Sequence, residues 1–186
     1  MTLKEMKQKV LGLIEELSID NAKLTEDPDI ATKLNDVINQ IQFELARVKK
    51  IAKYFEFAVT KGALLTFEDL AIEVGYEIYQ LNLLSGVNCE FKANGTVIKV
   101  LESGTLEVDC FVYPELITAE TSDSYEFELS QDVLEIMPYG VAADLLKSDI
   151  SSEYGSVYAT RYETMLQRLD PRNHTTSIFI DGGVSV

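Results

Sequence analysis

At Tyr54-Phe55-Glu56-Phe57-Ala58-Val59 the apolar period of the chain changes from that of a helix to that of a strand. Successive side chains on a strand point to opposite faces, so a period of two marks a half-buried strand. Upstream the spacing is helical. Thr2 and Glu5 stand three apart, as in a capping box, where each side chain satisfies an orphaned backbone N–H. Leu3, Met6, Val10, Leu13, Ile14 and Leu17 follow on one face. Asp27-Pro28 predicts a second helix, with an N-cap carboxylate and a proline in the first turn, where its missing N–H costs nothing. Its stripe is Ile30, Leu34, Val37, Ile38, Ile41, Leu45 and Val48. Two such helices joined by a loop of roughly ten residues are expected to pack as an antiparallel pair.

Downstream of Tyr54 the pattern predicts strands at Ala63 to Phe67, Tyr76 to Leu81, Val87 to Phe91, Thr96 to Leu101 and Leu106 to Tyr113, with Gly62, Gly75, Gly86, Gly95 and Gly104 as turn residues. This is an all-β insert of roughly 75 residues, expected as a small antiparallel sandwich. Asn94-Gly95 is a strong hairpin signal for a two-residue turn. It sets Phe91 opposite Ile98, Cys89 opposite Val100 and Glu90 opposite Lys99. With Gly104 left-handed in a three-residue loop, Leu106 falls opposite Val100, Val108 opposite Ile98 and Cys110 opposite Thr96. In this meander Lys99 lies between Glu90 and Glu107, a favourable cross-strand arrangement. Cys89 and Cys110 would then be displaced by about four residues, roughly 13 Å along the sheet. A disulfide needs Cα atoms within about 7 Å, so two separate thiols are expected.

Helical spacing returns near Ser130. Val133, Ile136, Met137, Val141, Leu145 and Leu146 form a stripe, interrupted by Pro138, which is expected to kink or restart the helix. A last helix is expected from about Ser152, with the stripe Tyr154, Val157, Tyr158, Arg161, Tyr162, Met165, Leu166 and Leu169, stopped by Asp170-Pro171. The fold class is therefore α+β: a helical bundle of two N-terminal and two C-terminal helices (residues 1–52 and 130–170), an inserted β domain (53–129) and an extended tail (171–186). In the tail, Ile178, Phe179 and Ile180 form a short β-prone segment lying beyond the last helical stripe, suited to pairing with a sheet edge on another chain.

Composition narrows the function. The chain has 186 residues, 46% of them hydrophobic and 25% charged, which excludes a disordered chain. Sixteen Lys and Arg against 31 Asp and Glu give a net charge of −15, the wrong sign for clinging to phosphate backbones or anionic membranes. The first ten residues, MTLKEMKQKV, lack the apolar run of a signal peptide, so a cytoplasmic protein is expected. No apolar run approaches the roughly 20 residues of a membrane span.

Catalytic signals are absent. His174 is the single histidine and stands in a loop context after Asp170-Pro171, so a Ser-His-Asp or Cys-His site would have to use it. There is no GxSxG, HExxH or GxxxxGK[ST], Asp181-Gly182-Gly183 is a lone turn, and Asp27 and Asp29 lack the alternating ligands of a calcium loop. The expectation is a protein that is not an enzyme and holds no cofactor or metal. The row Tyr154, Tyr158, Tyr162 is spaced to line one helix face. It reads as packing or as a subunit interface, where tyrosine is enriched. Tyr154, Tyr158, Tyr162, Ile178, Phe179 and Ile180 are the candidate interface residues.

The stretch Leu129-Ser130-Gln131-Asp132-Val133-Leu134-Glu135-Ile136-Met137-Pro138-Tyr139-Gly140-Val141-Ala142-Ala143-Asp144-Leu145-Leu146-Lys147-Ser148-Asp149, followed by Tyr158, Arg161-Tyr162-Glu163 and Met165-Leu166-Gln167-Arg168-Leu169, resembles the C-terminal half of the tailed-phage head–tail connector (adaptor) proteins. The N-terminal helix pair matches that family in periodicity only, and the large β insert departs from its smaller, purely helical members while resembling prophage members that carry a sandwich between the helix pairs. The resemblance implies a structural virion protein, assembled in the host cytoplasm, that forms a ring of about twelve subunits closed by a heterologous interface. Its partners would be the portal protein, further copies of itself, and a stopper or tail-completion protein. DNA would pass through the lumen without specific binding, past an acidic wall that repels phosphates. A different reading places the function in the β insert, as a carbohydrate-binding or decorative module with Tyr54, Tyr76, Tyr79, Tyr113 and Tyr125 as platform candidates; the chain has no tryptophan. A third reading is a bacterial protein unrelated to phage.

Overall fold

A computed structural model describes residues 1–18, 24–94, 97–148 and 153–169. The fold is α+β, with five α-helices and antiparallel sheets among the described residues. Helix α1 (Leu3–Leu13) starts with the expected Thr2/Glu5 capping box, and α2 (Pro28–Val48) with Asp27 accepting from the Asp29 and Ile30 amides. The α1 stripe ends early: Glu15 turns to a positive φ of 61°, and Leu17 lies outside the helix, 42% exposed. Near the C-terminal end of the described chain come α4 (Gln131–Leu145), a short 3-10 turn (Leu146–Ser148) and α5 (Glu153–Leu169).

Between α2 and α4 lie β1 (Ile51–Val59), β2 (Leu64–Thr66), α3 (Phe67–Val74), β3 (Ile78–Val87), β4 (Phe91–Asn94), β5 (Val97–Val100) and β6 (Gly104–Val112). They form two three-stranded sheets, ordered β1-β6-β3 and β2-β5-β4. Helix α3 corrects the expectation of strands alone here. Thr66, placed in a strand, is its N-cap, in a capping box with Asp69, and Gly75 closes it at a left-handed φ of 72°.

The hairpin and meander are corrected as well. β4 and β5 do pair, but with Phe91 opposite Val100, Ala93 opposite Ile98 and Asn94 opposite Val97, so the register moves by two. Lys99 consequently faces Lys92 and Leu64, not Glu90. β6 does not pair with β5. It pairs over all nine residues with β1, Phe55 opposite Val108 and Phe57 opposite Leu106, and on its other edge with β3. Two long neighbours satisfy the backbone of a nine-residue strand far better than a four-residue one can. Leu106, Val108 and Cys110 meet Ile98 and Val100 all the same, because both sheets contribute to one apolar cluster with Val59 and Leu70. Alternation identified which face is apolar; it could not say whether that face meets its partners side by side or across a core.

The expected strand Tyr76 to Leu81 is the first part of β3, which runs on to Val87 with irregularities between Ile78 and Gln80 and between Leu81 and Leu83; the segment expected from Val87 to Phe91 is not a strand, Val87 ending β3 and Phe91 opening β4. Gly86 and Gly104 are not left-handed turn residues. Both let the Asn88-Cys89 backbone come close: a Cβ on Gly86 would run into the Cys89 carbonyl, and one on Gly104 into that of Asn88. Cys89 and Cys110 are free thiols, the first half-buried and the second buried.

A second cluster joins α1, α2, α4 and α5. Residues 113–129, without regular structure, pack on it through Ile117, Phe127 and Leu129. Their carbonyls serve the first turn of α1, Leu3 N–H donating to Tyr125 at 2.8 Å and Lys4 N–H to Asp123 at 3.0 Å. On α2, Asn35, Asn39 and Gln42 hold the same segment. Asn39 exchanges two hydrogen bonds with the Ile117 backbone, donating at 2.7 Å and accepting at 2.8 Å, while Asn35 and Gln42 donate to the carbonyls of Thr118 and Glu115.

Candidate interaction surface

Val133, Leu134, Ile136, Met137, Pro138, Gly140, Val141 and Ala142 of α4 are all buried. These residues point around much of the helix circumference, as expected of a helix enclosed by others; α1, α2 and α5 all pack against it. The expected stripe is thus one side of a wider apolar surface. Pro138 does not restart the helix, which runs unbroken from Gln131 to Leu145. At its start Asp132 pairs with Lys49 at 3.1 Å, just beyond the end of α2. Hydrogen bonding to Ser130, with a smaller contribution from Lys49, holds the Asp132 carboxyl below its ordinary range.

Gly140 seats α5. A Cβ there would lie 2.8 Å from Cε2 and 2.9 Å from Cδ2 of the Tyr162 ring, and 3.2 Å from Ile41 Cγ2. The missing side chain makes room for an aromatic ring between α2, α4 and α5. Tyr162 is 8% exposed, the one buried residue of α5. Its hydroxyl is buried with no hydrogen-bond partner among the described residues. Burial first, and then the nearby Glu44 carboxylate, push its phenol well above the usual range.

The three tyrosines do not act alike. At 100° per residue, a spacing of four drifts by about 40° each step, so the row winds from solvent into the core. Tyr154 is 62% exposed, its ring 6.4 Å from that of Tyr158. Tyr158 donates its hydroxyl to the Leu13 carbonyl at 2.7 Å, tying α5 to the end of α1. Tyr162 lies in the core. Ile178, Phe179 and Ile180 lie outside the described residues.

A hollow of about 630 Å³ opens between α2, α4 and α5. Glu44, Asp144 and Glu163 line it, with Lys147 as the one described ammonium, bound to Asp144 at 3.6 Å. Its apolar and small residues include Ile41, Gly140, Ala143, Gly155 and Ala159, and Tyr162 reaches it from the core. On the opposite side of α5, Val157, Arg161, Thr164 and Arg168 recur at helical spacing and are all exposed, Val157 by 57%. Arg161 lies over the Tyr139 ring at 4.2 Å. Neither Arg161 nor Arg168 makes an ion pair among the described residues.

The aromatic candidates of the β region are mostly engaged. Tyr76 donates to Glu128 at 2.7 Å and lies under Lys53. Tyr79 stacks between Phe111 and Tyr113 and donates to the Ala46 carbonyl. Tyr113 packs on Phe43 and under Arg47, and Tyr125 is half-buried against Phe127 with a buried, unpartnered hydroxyl. Tyr54 alone is largely exposed, at 56%. Among the described residues no group of His, Cys, Asp and Glu could hold a metal ion, and no helix is long and apolar enough to cross a membrane.

Sequence reasoning missed the amide face of α2 and the Gly140–Tyr162 contact. Asn35, Asn39 and Gln42 are spaced as a polar stripe beside the apolar one, and that spacing was the available signal. No family model and no curated protein matches the chain.

Proposed function

We propose that the chain is a structural head–tail connector subunit of a tailed phage or prophage, with no catalytic activity and no cofactor, forming a ring beneath the portal protein. In this reading α1, α2, α4 and α5 make a two-plus-two helical bundle, and the two sheets make a sandwich inserted between the pairs. The observation that carries it is the stretch from Leu129 to Asp149: the segment resembling the connector family is the enclosed helix α4, and its Gly140 receives Tyr162 from the segment that completes the resemblance. Sequence likeness and packing thus fall on the same residues. The charge of −15 supports the role, since DNA crossing the lumen is not retained by acidic walls. The portal, a stopper or tail-completion protein and further copies of the chain are its partners in the virion. The engagement of Tyr76, Tyr79, Tyr113 and Tyr125 in internal contacts weighs against the carbohydrate-binding alternative.

The test is sedimentation of the full chain with and without the matching portal protein over a range of salt. Alone the chain should sediment as a monomer, since its self-repulsion opposes unassisted closure at low salt. With the portal it should co-sediment. Failure to associate at every salt concentration would contradict the reading.

A further inference from the structure

We infer that the acidic hollow between α2, α4 and α5 is the socket for an arginine from the exposed face of α5 on a second copy of this chain. The inference rests on the ring reading and names the contact that would build the ring. Three carboxylates, those of Glu44, Asp144 and Glu163, converge on the hollow against one ammonium, Lys147. Acidic residues are common on this chain and would carry no argument alone. The independent observation is Tyr162: more than nine-tenths buried, lining the hollow, with a hydroxyl that has no hydrogen-bond partner among the described residues. A buried polar group left unpaired is destabilising, so such groups normally have partners. A guanidinium offers five N–H donors and no acceptor, which suits carboxylates together with a phenolic oxygen.

The matching donor lies on the same helix. Around α5, Val157, Arg161, Thr164 and Arg168 are directed roughly opposite to Gly155, Ala159, Tyr162 and Leu166, which face the hollow side. That outer face carries arginines that make no ion pair among the described residues, and an exposed valine. Arg161 is already stacked on Tyr139, which leaves Arg168 as the freer side chain. Socket and donor on opposite sides of one helix give a heterologous contact, in which each copy offers its outer face to the next. A contact of that type propagates around a ring; it does not stop at a two-fold dimer.

The experiment uses full-length chains in a Cys89→Ser background. One carries Gln40→Cys at the rim of the hollow and the other Thr164→Cys on the outer face one turn before Arg168, both exposed positions that leave the carboxylates and Arg168 in place, and the two are mixed at high concentration under mild oxidation. Even a weak contact is trapped as an inter-chain disulfide. The mixed pair should cross-link about tenfold faster than Gln40→Cys mixed with Lys99→Cys on the outer face of the β2-β5-β4 sheet, a difference equivalent to about 1.4 kcal/mol. Adding Tyr162→Phe to the Gln40→Cys chain should slow cross-linking several-fold, with the melting temperature measured alongside to show that the chain stays folded. Cross-linking no faster than the Lys99 control overturns the contact, and so does a Tyr162→Phe chain that cross-links unchanged. Portal co-sedimentation of the same chains separates the two proposals. Portal binding without the specific cross-link removes this contact and leaves the connector; the cross-link without portal binding does the reverse.

Discussion

A methyl group at Gly140 would press on the Tyr162 ring and on Ile41, and neither neighbour is free to withdraw, since both belong to the helical core. Gly140→Ala is therefore expected to destabilise the chain by about 1–3 kcal/mol, despite alanine's better helix propensity. The urea midpoint should fall with an unchanged slope, and an unmoved midpoint would show that α5 is not seated through this glycine. Tyr125 gives a pH dependence. Burial first, then Glu115 and Glu128, push its phenol up to about 12 from 10.0. The folded state thus holds that proton more tightly than the unfolded chain. Its contribution is complete below pH 10 and is lost as pH rises toward 12. Tyr125→Phe should show a shallower loss of stability between pH 10 and 12 than the native chain, measured by urea unfolding, and an identical loss would remove Tyr125 as a source. At this scale the caps were legible, because Thr2 with Glu5 and Asp27 before Pro28 are local patterns. Asn39 and Gln42 were not. An amide beside an apolar stripe reads as solvent-facing until the segment around Ile117 comes to meet it, and that segment is more than 70 residues away.

Helices α1, α2, α4 and α5 were readable because each keeps an apolar spacing long enough to separate a period of 3.6 from one of 2. Helix α3 escaped notice although Thr66 and Asp69 carry a capping pattern like that of Thr2 and Glu5. With eight residues it is short, and the run from Ala63 to Phe67 also suits a strand. Sheet pairing was legible only as far as faces. The same alternation allows β5 beside β6 or opposite it, and strand length decided. The tail raises a question of the same kind. Apolar residues up to Leu169 already pack against the helical core, so the subunit should fold without the residues beyond Arg172. Truncation after Arg172 is expected to change the melting temperature of the isolated chain by only a few degrees while abolishing ring assembly or portal binding. An unfolded truncation would place Ile178, Phe179 and Ile180 in the subunit's own core, and retained assembly would deny the tail a role in the contact.

Taken whole, the molecule joins two apolar clusters, one helical and one to which both sheets contribute, with Ile51 packed against both. Half-buried aromatics strengthen the seam, where Phe43, Tyr79, Phe111 and Tyr113 bring the end of α2 against the strands. The spacing of Tyr154, Tyr158 and Tyr162 placed all three on one helix, but the acidic hollow beside that helix depends on how α5 crosses α2 and α4, which no local pattern specifies. The central claim is the ring beneath the portal, and electron microscopy of the full chain mixed with the matching portal tests it most directly. The account predicts added density as a ring coaxial with the portal, with a central opening wide enough for duplex DNA. A bare portal, or this chain attached singly to its side without a ring, would contradict it.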